Sequence, residues 1–319
     1  MKKMVSVCMI TCNHAKFIEE AINGVLSQKT KFDIELVIGE DCSSDNTRDI
    51  VHTYAEKYPF LIRVFTSEKN VGVINNFTRT LKVCTGKYIA LCEGDDYWSD
   101  PYKLQKQVDF LEANPEFSLC FHKVKILKED GNLVNDFRTK APKRVTTLKD
   151  LARRGNYIHT PSVVLRNDFQ IPGWFLNCPI GDYPLYFLAV RDKKIKYMPT
   201  VMAVYRHGVG VHSSASLYVR RTNMFLSVNE IIKNYSDRTI IEILQKTKRR
   251  TLHCLLSRYF FGNEGTIDEI NLVLSNYYGS TENPLYYFAS DLIKNWPYLV
   301  FYRMKLVISK IIRRIKSSY

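Results

Sequence analysis

Three carboxylates crowd into the four residues Glu93-Gly94-Asp95-Asp96. Acids packed this closely repel one another unless a cation or ligand hydroxyls sit among them. An all-oxygen set suits Mg²⁺ or Mn²⁺, which commonly use one or two carboxylates together with the phosphates of a nucleotide. The intervening glycine lets backbone and ligand approach closely. A polar strand-to-helix turn, with Asp100 and Pro101 capping and opening the next helix, accounts for the same residues. Polar groups elsewhere bear on that choice: Thr11 and Asn13, Glu40 and Asp41, Asn70 to Gly72, and Asp182 at the head of an apolar stretch.

The elements that would position these groups alternate. Val5–Thr11 is a continuous apolar run, His14–Gln28 has helical periodicity, Ile34–Ile38 reads as a second strand and Asp45–Tyr58 as a second helix. The pattern continues through the strand Leu61–Phe65, a helix after Gly72, the strand Lys87–Cys92 and the helix Tyr102–Ala113. Repeated βαβ units predict a mostly parallel sheet flanked by helices, an α/β fold. Ligands of such sheets bind at the carboxyl ends of the strands. Thr11 and Asn13, Asp41, Asn70 to Gly72 and the acidic turn each follow a predicted strand, which favours a ligand site over a mere turn.

Downstream, Ser118–Leu127 reads as a strand and Asp130-Gly131-Asn132 as the tip of a hairpin. A short helix near Leu148–Arg153 precedes Tyr157–Arg166, which reads as a strand with polar residues at its start, and Lys196–Tyr205 is a last apolar strand. The 319 residues are 45% hydrophobic and 24% charged, enough for one large domain and an appendage. The eight cysteines lie scattered in apolar segments without metal-ligand spacing and read as reduced core residues. A net charge of +14 points to an anionic partner. The basic residues lack the aromatic motifs of RNA-binding modules, so nucleic acid is not the expected partner. No apolar stretch is long enough to span a membrane, and Met1-Lys2-Lys3 runs straight into a strand, so cytoplasmic residence is expected.

Val7–Asn13, Gly39–Thr47, Asn70–Gly72 and Gly86–Asp96 resemble, in order and spacing, the inverting nucleotide-sugar glycosyltransferases of family 2, which have the GT-A fold. The likeness covers about the first two thirds of the chain. It implies a nucleotide-sugar donor, UDP-linked, with Thr11, Asn13 and Asp41 on the nucleoside and Asn70 and Gly72 beside them. Asp41 would accept the uracil N–H, although a turn at Asp41-Cys42-Ser43-Ser44 explains it too. Glu93-Gly94-Asp95 would be the DXD motif with Glu in first place. That puts Asp95 on Mn²⁺ or Mg²⁺, leaves Glu93 to ribose, to metal or to neither, and turns Asp96 to the donor sugar.

The resemblance also makes Asp182 the base that removes a proton from the acceptor hydroxyl, although Asp at a helix start is favoured by the dipole in any case. The family's Glu before this Asp is replaced by Gly181. His159, Thr160 and Ser162 would line the acceptor side, or simply begin a strand beside Pro161. Tyr205-Arg206-His207 resembles a segment that contacts metal and diphosphate. It makes His207 a metal or phosphate ligand, with His212 the alternative, and Arg206 a neutraliser of the departing diphosphate. The acceptor is expected to be a glycan or lipid-linked saccharide of a surface polysaccharide. Because Glu93 and Gly181 depart from the family pattern, a non-catalytic nucleotide- or glycan-binding relative remains the alternative.

The catalytic domain is expected at residues 1–215 and a basic helical region at 216–319. Within the latter, 300–316 puts Val300, Met304, Ile308, Ile311 and Ile315 on one face and basic residues opposite. Such a helix suits an anionic membrane surface and predicts peripheral attachment to the inner face of the cytoplasmic membrane.

Overall fold

The computed structural model describes residues 3–137, 139, 143–261 and 264–279. The helix expected at 300–316 lies outside the described residues. Ten strands form one mixed sheet: β1 (Val5–Thr11), β2 (Ile34–Glu40), β3 (Ile62–Phe65), β4 (Tyr88–Leu91), β5 (Tyr97–Trp98), β6 (Phe117–Leu127), β7 (Leu133–Asn135), β8 (Val145–Thr147), β9 (Val164–Arg166) and β10 (Lys194–Arg206). The order is β3-β2-β1-β4-β9-β6-β10-β5, with β7 on β6 and β8 on β10.

From β3 to β4 all pairs are parallel, as the βαβ pattern demands. Their crossovers are α1 (Ile18–Leu26), α2 (Thr47–Lys57) and α3 (Val73–Lys82), and α4 (Lys103–Ala113) follows β5. The other half is mixed, because β9 inserts antiparallel between β4 and β6 while β6 and β10 run parallel. The sheet buries both faces. Val5, Val7 and Met9 of β1 join one core with α1 and α4, whereas Cys8 faces the opposite core with α3, as the two-residue period of a strand requires. All eight cysteines are unpaired.

The strand expected over Tyr157–Arg166 shrinks to β9, and Thr160–Ser162 form a 3₁₀ turn. The reason is local: Pro161 has no N–H for a ladder, and both the Ser162 amide and its hydroxyl donate to the His159 carbonyl.

α5 (Leu148–Arg154) starts with a Thr147–Asp150 capping box, and α6 (Asp182–Val190) is almost wholly buried. After β10 come one helical turn, α7 (Val211–Ser214), and the longer α8 (Leu217–Asn234), α9 (Arg238–Phe261) and α10 (Ile267–Tyr278). Tyr218, Phe225, Leu252, Leu255 and Ile270 give these helices a core of their own. Val228, Ile231, Ile240 and Leu244 extend the main core instead, so the C-terminal helices are seated on the sheet domain. No helix among the described residues is long and apolar enough to cross a membrane.

Candidate active site

The carboxyl ends of β1, β2 and β4 carry the polar residues singled out above. At β1, Thr11 is buried and its Oγ1 lies 3.2 Å from His14 Nδ1. Asn13 takes a left-handed conformation, φ 57°, and its Oδ1 accepts from the Ser44 amide at 2.8 Å. After β2, the Asp41 carboxylate accepts from the amides of Val71 at 2.8 Å and Gly72 at 3.0 Å, and from Ser67 Oγ at 3.2 Å. Asn70 Nδ2 donates to the Asp41 carbonyl at 3.0 Å. Thr11, Asn13, Asp41, Asn70 and Gly72 therefore form one connected wall, and Asp41 is the residue that holds the 67–72 loop against it.

After β4 the chain turns sharply, and carboxylate oxygens of Glu93, Asp95 and Asp96 come within 4.8 Å of one another. Gly94 makes this turn possible in a way the sequence did not suggest. A Cβ there would stand 2.6 Å from Thr11 Oγ1, so its missing side chain makes room for Thr11 rather than for a ligand.

Asp96 is fully buried. Its Oδ1 accepts from the Arg206 amide at 2.8 Å, and its Oδ2 has no hydrogen-bond partner among the described residues. Burial first, then Asp95 and Glu93, push its carboxyl well above the ordinary range. Glu93 is pushed up to about 8 by burial, then by Asp95 and Asp182. Three hard oxygen donors with an orphaned buried Oδ2 and an unbalanced charge are the donor set a small divalent cation fits.

Asp182 opens α6 and acts electrostatically on Glu93, so the structure brings it to the acidic turn. Its Oδ2 accepts from Asn156 Nδ2 at 2.5 Å and its Oδ1 from the Tyr183 amide at 2.7 Å. A Cβ on Gly181 would sit 2.5 Å from Phe77 Cδ1, which explains why no Glu precedes this Asp. On the adjoining wall the His159 ring packs at a tilt against Tyr205 with 4.6 Å between centroids, and its Nε2 lies 3.3 Å from Asp136 Oδ1. Thr160 is 8% exposed beside it. Ser162 is fully buried with its hydroxyl spent on the His159 carbonyl, so it braces this wall from behind instead of facing an acceptor.

Two further expectations change. Arg206 is buried between the rings of Phe17 and Tyr97, at 4.8 and 4.9 Å, and donates to the Asp95 carbonyl and to Glu20. Its guanidinium thus clamps the acidic turn from below and does not reach a diphosphate. Antiparallel pairing of Val204 with Tyr97 in β10 and β5 puts it there. His207, the next residue, lies 6.3 Å from the Phe137 ring and is absent from the carboxylate cluster. β10 ends at Arg206, and His207 is the first residue of the turn that follows it. The side chain of His212 lies outside the described residues.

Residues that the sequence did not bring forward also meet here. His14 faces Asp95, and burial holds its imidazole below the usual range against the opposing pull of Asp95 and Asp45. Gly210 covers Asp95 so closely that a Cβ would lie 2.7 Å from Asp95 Oδ2. Tyr186, one turn after Asp182, is fully buried. A search of the i+4 position after Asp182 would have found it.

Residues 6–170 match glycosyl transferase family 2. An uncharacterized protein of Mycobacterium tuberculosis, Rv1520, is 39% identical over 66% of this chain, and the chain spans 61% of the length of that relative. WfgD of Escherichia coli, described as a UDP-Glc:alpha-D-GlcNAc-diphosphoundecaprenol beta-1,3-glucosyltransferase, is 30% identical over 60% of this chain and 72% of its own. Among solved structures, residues 1–349 of S. aureus TarS in complex with UDP-GlcNAc superpose with a TM-score of 0.63 at 20% identity, covering 86% of this chain and 80% of that one.

Proposed function

Because this chain belongs to glycosyl transferase family 2 and has the GT-A fold, we propose that it transfers a sugar from a UDP-linked donor to a hydroxyl of a glycan or lipid-linked saccharide, inverting the anomeric centre. The observation that carries this reading is that Asp182 acts on Glu93 of the acidic turn, whose three carboxylates could hold a metal ion. WfgD's description and the UDP-GlcNAc held by TarS support a UDP-linked donor.

In this reading the uridine lies along Thr11, Asn13, Asp41, Asn70 and Gly72. Asp95, with Glu93 and Asp96, would hold Mn²⁺ or Mg²⁺, which supplies charge neutralisation for the departing diphosphate. Arg206 keeps the turn in shape from beneath. His159 and Thr160 orient the acceptor. Asp182, fixed by Asn156 and the Tyr183 amide, takes the hydroxyl proton as the acceptor oxygen attacks from the face opposite the leaving group. The catalytic unit would be residues 1–215, with 216–319 as a basic helical region. The protein would act at the cytoplasmic membrane surface through 300–316, because no Asp or Glu occurs from Lys294 to Tyr319.

The test is a panel of UDP-sugars with Mn²⁺, followed by donor turnover and by the anomeric configuration of the product. Asp182→Asn should keep donor affinity and lose transfer by ~10²–10⁴-fold. A variant within a few-fold of wild type, or a retained configuration, would overturn the assignment.

A further inference from the structure

Tyr186 follows Asp182 by one turn of α6. Residues four apart share a helix face, and side chains lean towards the helix N-terminus, so the phenol is directed back at the first turn where Asp182 stands. It is fully buried, and its hydroxyl has no hydrogen-bond partner among the described residues. Around it α6 is packed with the apolar side chains of Leu185, Phe187, Ala189 and Val190. A phenylalanine would fill the same volume without leaving a buried O–H unsatisfied, so packing gives no reason for the oxygen.

The charged groups acting on that oxygen are Asp182 and Glu93, and burial together with both of them keeps the phenol protonated, hence a donor. Asp182 itself is held towards Asn156 and the Tyr183 amide. A donor without an acceptor thus stands within the field of a carboxylate that is bonded elsewhere.

We propose that Tyr186 is a positioning residue for Asp182: when the acceptor enters, the carboxylate turns from Asn156 to accept the Tyr186 hydrogen bond and presents its other oxygen to the acceptor hydroxyl. The inference rests on the reading of Asp182 as the base. The proton that Asp182 collects comes from the acceptor, and Tyr186 keeps its own. The phenol sets where the base points and lowers the cost of leaving Asn156.

The test is Tyr186→Phe in the full-length chain, with kcat, donor KM and Tm measured beside wild type on the UDP-sugar that wild type turns over. Loss of a hydrogen bond to a charged group predicts a kcat lower by roughly 10–100-fold. Donor KM should stay within about threefold, since Tyr186 does not touch the nucleotide wall. Tm should be unchanged or higher, because the substitution deletes an unsatisfied buried hydroxyl. A merely structural tyrosine would show the reverse pattern, a lower Tm with kcat kept. That result, or a kcat within twofold of wild type, overturns the proposal. Wild type inactive on every UDP-sugar would instead overturn the transferase reading, and this role with it.

Discussion

Replacing Glu93 by Gln should stabilise the metal-free protein at pH 8 and leave it nearly unchanged near pH 4. The Glu93 carboxyl stands at about 8 in the fold against 4.5 for a free side chain, because burial, Asp95 and Asp182 oppose its ionisation. A raised folded value contributes stability that is complete below the unfolded pKa and is lost as pH rises through the folded one. The loss therefore runs from about pH 4.5 to about pH 8. Those 3.5 pH units, 8 − 4.5, at ~1.36 kcal/mol each set a ceiling of roughly 5 kcal/mol.

Coupling to Asp95 and Asp96 spreads the titration, so about 3–5 kcal/mol is expected. Unfolding entropy of ~2.1 cal/mol/K per residue converts each kcal/mol to about 1.5 °C for a chain of this length, and hence to a shift of about 5–8 °C. His14 and His122, held low by burial, and Lys103, lowered to about 7, run in the opposite direction. They are common to both chains, so the quantity to measure is the difference in Tm, variant minus wild type, in EDTA from pH 4 to 8.5. A difference that stays flat across that range would refute the electrostatic account of the turn. Mn²⁺ should reverse the order at pH 8, stabilising wild type more, because the variant gives up a carboxylate ligand.

Gly210→Ala would bring a Cβ to 2.7 Å from Asp95 Oδ2, and the displaced carboxylate should weaken Mn²⁺ by roughly 10-fold, within the usual range for overpacking. Calorimetric Mn²⁺ titration reads it, and unaltered affinity would free Asp95 from that contact. The 300–316 segment should float the intact chain, but not one ending at Pro297, with anionic vesicles at low salt. Equal flotation of the two would remove the membrane role.

The parallel half of the sheet was legible because its strands are unbroken apolar runs and its helices carry a 3.6-residue stripe, both local properties of the chain. The acidic turn was legible for the same reason, since Glu93, Asp95 and Asp96 lie within four residues. The strand expected at Tyr157–Arg166 failed on Pro161 and on a hydroxyl that prefers its own backbone, a competition no periodicity reveals.

Sequence order could not say which way a side chain at the end of β10 points. Pairing of Val204 with Tyr97, made across more than a hundred residues, put Arg206 against the turn, on Asp96 and the Asp95 carbonyl. Likewise, the missing Glu at Gly181 is only a departure from a pattern until Phe77 is seen in its place. Residue types and spacing determined which chemistry the chain can carry. Only tertiary packing decided which groups share the site, because burial and the approach of distant segments set both the room for a side chain and the charge it can keep.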